Sequence, residues 1–311
     1  MKFDLVAYED WLSKIKKELK KDDLTELHVP ISGKISIDPF FGRKPENTEG
    51  QRQVKTWKHK AIYLTSKLNN ELLLEDLRGG IDCVEIIVDQ SNTNWSKAFD
   101  NVIFEYIDLR FLVNDADELE RTKEELKIFD KDFQISTGEK ILQLKAEDYI
   151  AELVTGMQKL IQDLDDCMDN EARTDMLSSY RIDRKISAKI IEELAISEAI
   201  EILLYNVCKG FGLRPKGILS HAECLPLFED VERNYIDLSM KALIASLGNY
   251  EAIFIAQATD VKASFHHRIS RNIHHLLKEE SNIHFSRSAF KGAYQIEQIR
   301  NKIVHAVWDK L

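Results

Sequence analysis

Apolar residues recur at two periods along this chain. In the closing stretch, Phe265, Ile269, Ile273, Leu276, Leu277 and Ile283 fall on one side of a helical wheel, with Arg271, His274 and Lys278 opposite. That is the spacing of an amphipathic helix. Turn residues follow (Ser286, Arg287, Ser288, Lys291, Gly292), then a second helical pattern through Ile296, Ile299, Ile303, Val307 and Leu311. Glu280 falls inside the first stripe, where an unpaired carboxylate is costly, so a buried hydrogen-bonding or ionic partner is expected for it.

Residues 54–126 alternate between the two periods. TSKLNNELLLEDL (65–77) reads as a helix, CVEIIVD (83–89) and YIDLRFLV (106–113) as short strands, and ADELERTKEELKIF as a returning helix. Further on, KILQLK is a weak strand, EDYIAELVTGMQKLIQDLDDCM a long helix, and residues 183–212 one long helix stopped by Gly210 or Gly212. GILSHAEC (217–224) and YEAIFIAQA (250–258) read as strands on either side of the helix NYIDLSMKALIASLGN. Such βα succession predicts a parallel sheet, and right-handed crossovers make it either doubly wound or a barrel. Five or six strands are readable, fewer than the usual complement of a barrel, and the helical crowding over 147–207 points to erosion.

The N-terminus differs in character. Leu5, Trp11, Leu12, Ile15 and Leu19 mark a short amphipathic helix with lysines on its other face, read as solvated. Three of the five prolines then fall in ELHVPISGKISIDPFFGRKPENTEGQ, which predicts an extended arm lying over a surface. Phe40 and Phe41 require that arm to dock on its own chain or on another. The division expected is 1–50, helix and docking arm, and 51–311, the barrel.

Composition narrows the function classes. With 44% hydrophobic and 31% charged residues in 311, the chain can bury a large core. A net charge of −10 works against sequence-independent binding of nucleic acid or anionic membrane. No segment has the length of a membrane span or the pattern of a leader peptide, so a cytoplasmic location is expected. Cys83, Cys167, Cys208 and Cys224 lack metal-site spacing and read as buried free thiols.

Candidate chemistry is thin. His266 and His267 lie about two turns from His274 and His275, too far for one ion to bridge, and His275 with Glu279 supplies only two ligands. His221 lies near the end of a strand, where barrel enzymes gather catalytic groups, and is weighed against a hydrogen-bonded structural histidine. Asp89, Asp108, Asp115 and Asp260 lie near strand ends without a spacing that selects a pair, so loop or capping roles explain them more simply. Phosphate-loop, dinucleotide and nucleophile-elbow motifs do not occur.

Four stretches carry a family resemblance. RISRNIHHLLKEES, then KGAYQIE and AVWDKL, resembles the end of the substrate barrel in the methylmalonyl-CoA mutase family, which reads close to RIARNTQLILQEES, GGSYYVE and an Ala-Trp pair. GKISIDPFF resembles that family's N-terminal GIxIxPLY, and EELAISEAIEILLYNV its EIAKLRALRLLWARV. Gly248, Glu251, Ala252 and Ile253 stand where the family has GGADAI. The resemblance implies a degenerate TIM-type (β/α) barrel whose N-terminal arm wraps a partner subunit. Departures matter as much: the family's Thr-Val-Arg-Gln-Tyr-Ala-Gly run is replaced by VKTWKHKAIY, an arginine near the place of Asp237 is not evident, and no Asp-x-His-x-x-Gly cobalt-ligand motif occurs before Leu311. The expectation is a non-catalytic small subunit of a heterodimeric mutase, without catalytic, cofactor-binding or metal-binding residues of its own. Adenosylcobalamin is then expected on the large subunit. The alternatives are an independent eroded-barrel enzyme acting on a small molecule and a self-associating scaffold.

Overall fold

A computed structural model describes residues 6–32, 35–39, 56–90, 93–145, 149–214, 218–259, 263–283 and 292–311. Helix α1 (Tyr8–Leu19) is followed by an antiparallel hairpin of β1 (Val29–Ser32) and β2 (Ile35–Ile37). The body then alternates β3 (Lys58–Leu64), α2 (Asn70–Arg78), β4 (Cys83–Ile87), α3 (Trp95–Ala98), β5 (Asp108–Val113), α4 (Ala116–Leu126), β6 (Gln134–Thr137) and β7 (Ile141–Leu144). It continues through α5 (Tyr149–Asp165), α6 (Asn170–Ser179), β8 (Arg181–Lys185), α7 (Ile190–Gly210), β9 (Leu219–Cys224), α8 (Val231–Leu247), β10 (Ala252–Ile255), α9 (Ala263–His275) and α10 (Tyr294–Trp308).

Strands β3 to β10 form one parallel sheet of eight, in the order β6-β5-β4-β3-β10-β9-β8-β7, nearly closed into a TIM-type barrel flanked by helices. The two end strands are consecutive in the chain and joined only by the turn Gly138–Lys140. A parallel crossover takes a dozen or more residues. β6 and β7 therefore act as successive halves of one extended run, the first half bonded to β5 and the second to β8.

Apart from His59 and Arg184, the buried outward-facing residues of the strands are mostly apolar, and three clusters seal them under the helices. Val84, Ile86, Leu109 and Phe111 pack with Leu73, Trp95, Phe99 and Leu126 on one side. Ala222, Cys224, Ile253 and Ile255 meet Leu238, Ala242 and Ile273 on another. The largest cluster joins Leu144 and Ile182 to α5, α7 and α10, with Ile299, Ile303 and Val307 of α10 buried as their spacing predicts. Ile35 of the hairpin belongs to that cluster, and Lys302 of α10 donates to the Ser36 carbonyl at 2.8 Å. No residue of α1 is buried.

Four sequence expectations are corrected. The eroded count of five or six strands rises to eight, because β3, β6 and β8 carry polar residues where a strand pattern expects apolar ones. Residues 183–212 are not one helix: Asp183 lies in β8, and α7 starts at Ile190. In the closing helix, a wide turn at Leu276–Glu280, held by the Ser281 N–H donating five residues back to the Leu276 carbonyl at 2.8 Å, rotates Glu280 out of the stripe into solvent. Arg271 and His274, expected to face outward, are buried, whereas Phe265 and Leu276 are exposed.

One buried ion pair anchors α7 to the sheet. Arg184 is fully buried, donates to both Glu193 oxygens at 2.9 and 3.1 Å and to the Lys145 carbonyl, and lies over the Tyr149 ring. Glu193→Leu strands that cation and is expected to cost about 3–5 kcal/mol. Glu280→Leu, on the exposed turn, is expected to stay within about 0.5 kcal/mol. Urea unfolding of the two variants beside the parent checks both values.

Candidate functional site

Successive side chains of a strand point to opposite faces, so the apolar outer faces leave the alternate residues to the barrel interior. Many of those alternates are ionisable: Lys60 on β3, Glu85 on β4, Asp108 and Arg110 on β5, Arg181 and Asp183 on β8, and His221 on β9, among apolar ones such as Ile62, Leu112 and Phe254. Their contacts run across the axis. Arg181 donates to Glu85 and, at 2.7 Å, to Asp183, while Lys60 pairs with Glu85 at 3.1 Å. The imidazole of His221 lies between Lys60 Nζ, 3.1 Å from its Nδ1, and Arg110, which meets its Nε2; Asp183 Oδ1 stands 3.6 Å from Nδ1. Lower down, Arg110 donates to Asp108, which also accepts from Lys58 at 2.9 Å, and Glu251 lies 3.7 Å from Arg110.

Burial of this kind separates charge states. Burial, reinforced by Lys60, Arg181 and Arg110, pushes the His221 pKa well below its ordinary value, so the ring is neutral. For Glu85, burial alone would raise the carboxyl, but Lys60 and Arg181 outweigh it and hold it below the usual range. Asp108 follows the same pattern with Arg110 and Lys58. Glu223, two residues beyond His221 on β9, forms no ion pair among the described residues, and burial, reinforced by Asp183, raises its pKa. Chemically the middle of the barrel is a closed set of ion pairs. Its long side chains occupy the axis along which a substrate or cofactor would reach the interior, and the His221 nitrogens are taken up by neighbouring groups. These residues do not fit a cobalamin or other cofactor in the lumen.

The structure disperses most of the other sequence candidates. His221 lies within β9 rather than at its end, and is fully buried. Asp89 accepts from Thr65 Oγ1 at 2.7 Å and from the Ser66 N–H at 2.8 Å, and bonds from Ser66 and Thr65 lower its pKa to about 2. Asp115 caps α4 by accepting from the Glu118 N–H at 2.8 Å. Asp260 lies outside the described residues, as do Phe40 and Phe41. Of the four cysteines, Cys83, Cys208 and Cys224 are buried and Cys167 half-buried, all as free thiols, with burial pushing Cys83 up to about 12. Among the described residues no group of three or more His, Cys, Asp and Glu side chains converges as metal ligands do.

The histidine pairs of α9 instead join a second polar cluster, outside the barrel wall. His274 stacks on His59 of β3 with centroids 4.1 Å apart, and His275 meets His59 edge-on and lies 2.8 Å, through Nε2, from the Gly79 carbonyl. Arg271 pairs with Asp76 at 2.5 Å and Glu75 at 3.1 Å, and His267 lies 3.5 Å from Asp76. His266 meets the Tyr235 hydroxyl. Gly79 and Gly80 make this approach possible: a Cβ on Gly80, at φ +91°, would stand 2.5 Å from the His275 ring.

The fold and lumen together define an α/β barrel whose interior is locked by ion pairs. No family model matches the chain. Over 165 residues, 50% of this chain, it is 26% identical to the methylmalonyl-CoA mutase large subunit of Porphyromonas gingivalis, a weak and distant homology. The match spans 23% of that protein's length. Among the described residues no helix is long and apolar enough to cross a membrane.

Three buried histidines give the protein an acid limit. Burial, then Lys278 and His275, lowers His59 from 6.5 to about 3, and burial lowers His274 and His221 well below 6.5. In the unfolded chain these rings take up a proton near 6.5, whereas the folded rings do not, so their contribution is complete above that pH and is lost as the pH falls below it. Each adds a slope of about 1.4 kcal/mol per pH unit. Urea midpoints should therefore fall steadily between about pH 7 and pH 5, and the fall should be shallower in His59→Phe. Flat midpoints over that range contradict this assignment of charge states.

Proposed function

We propose that this chain is a non-catalytic, cytoplasmic subunit that pairs with a methylmalonyl-CoA mutase large subunit in a heterodimer. The observation that carries this reading is the filled barrel: Lys60, Glu85, Arg110, Arg181 and His221 contact one another across the axis, where a catalytic barrel needs space for its reactants. The distant homology to a large subunit supports the choice of partner. In this reading adenosylcobalamin and substrate reside on the large subunit, which interconverts methylmalonyl-CoA and succinyl-CoA. Radical chemistry of that kind requires a closed, water-free site. This chain contributes by holding the large subunit's barrel in its closed form.

The clasp is assigned to the N-terminal segment, residues 1–50, and above all to α1. That helix has an apolar stripe that its own chain covers only in part: Trp11, Leu12 and Ile15 are half-buried, Leu19 is 42% exposed, and no residue of the helix is fully buried. The hairpin beyond it serves a different purpose, since Ile35 completes the chain's own core.

Co-expression with the large subunit tests the reading. The expected result is a stable one-to-one complex on size exclusion and a mutase activity that depends on the small chain. Removing residues 1–20 should abolish the complex while leaving the melting temperature of the isolated barrel unchanged. A chain that elutes alone beside the large subunit, with mutase activity the same in its absence, overturns the reading.

A further inference from the structure

Where β6 and β7 leave the ring unpaired, a cavity of about 460 Å³ opens through the barrel wall. Its deep wall includes Arg110 and Arg181, 4% and 6% exposed. The carboxylates that pair with them, Asp108, Glu85 and Asp183, belong to the lumen and not to the cavity wall. At the rim, the Lys140 ammonium donates to the Met176 sulfur at 2.9 Å and pairs with no carboxylate among the described residues. A thioether is a weak acceptor, so this cation is poorly satisfied by its own chain. Among the described residues the one acidic side chain of the wall, Asp175, is exposed at the rim. The terminal nitrogens of Arg110 and Arg181 are taken by His221 and those lumen carboxylates, but the Nε of each is buried without a hydrogen-bond partner among the described residues, so two unsatisfied guanidinium donors and the Lys140 ammonium belong to the cavity wall, beside the hydroxyls of Ser136 and Thr137. Phe133, Ile141 and Tyr180 supply apolar wall, with Gln134, Ser178 and Ser179 adding polar groups.

We propose that this seam cavity is a binding site for a small organic carboxylate with an apolar body. Its volume falls within the range of small-molecule sites, which combine apolar walls with a few convergent polar groups. Guanidinium and ammonium groups select an oxyanion head. The apolar walls select against inorganic phosphate, which would leave them wetted. The site lies in the wall of the barrel rather than along its axis, so it stands independently of the large-subunit reading.

Titration of the full chain with hexanoate, hexanamide and inorganic phosphate, followed by ligand-observed NMR, tests the proposal. Hexanoate should bind saturably and at least about tenfold more tightly than hexanamide, the difference expected when charge-assisted bonds are lost. Inorganic phosphate should not displace it at equal concentration. Lys140→Met should weaken hexanoate at least about fivefold, and Ser178→Trp, which places an indole at the exposed rim, should abolish binding. Both variants should melt with the parent. Absence of hexanoate binding, equal binding of the amide, displacement by phosphate, or unchanged affinity in both variants overturns the site.

Discussion

The structure depends on the ion pairs across the barrel axis. The strand order divides the ring into two halves that are each continuous in sequence, β3 to β6 and β7 to β10. Four contacts join them through the lumen: Glu85 with Arg181, Lys60 with His221, and Arg110 with both His221 and Glu251. The interior is the interface between two half-barrels, and charge rather than apolar packing holds it in register. Such an interface adds little net stability compared with a well-packed apolar one, but it penalises any arrangement that leaves a charge without its partner. Correct closure is therefore specified more strongly than it is stabilised.

Apolar packing has been moved to the outside of the sheet. The three clusters under the helices supply the burial that drives folding, and the lumen supplies the geometry. A barrel filled in this way is closed along its axis. That character supports a role exercised through its surface, in keeping with a helix α1 that buries none of its own residues.

What could be read in the sequence follows the same division. β4, β5, β7, β9 and β10 were legible because their outward residues make apolar runs, as in CVEII and AIFI. β8, with the sequence RIDRK, has charges at its lumen positions and also Arg184 outside, so its strand character is hidden and a helical pattern runs on from Asp183 into α7. β3, KHKAIYL, was obscured by Lys58, His59 and Lys60. The lumen site was illegible for a further reason: Glu85 and Arg181 are 96 positions apart, and single charges inside short strands read as surface residues. One signal was present. Charges at every second position within runs otherwise bounded by apolar residues, as in DLRFLV, mark an interior polar face. The family resemblance at the C-terminus is visible, but apolar spacing alone misplaces the buried face of α9, because its stripe includes Phe265 and Leu276 and excludes Arg271 and His274, which Asp76 and His59 draw inward.

The turn Gly138–Lys140 gives the ring an uneven mechanical character. At every other joint, neighbouring strands are fastened by a ladder of backbone bonds, and around the ring that ladder also links β3 to β10, the two ends of the barrel segment. Between β6 and β7 no such ladder exists, and the covalent chain itself is the fastening. Separating the halves there breaks no sheet hydrogen bond, so the barrel behaves as a split ring, with a spine at β3 and β10 and a slit opposite, and small opening motions concentrate along the slit.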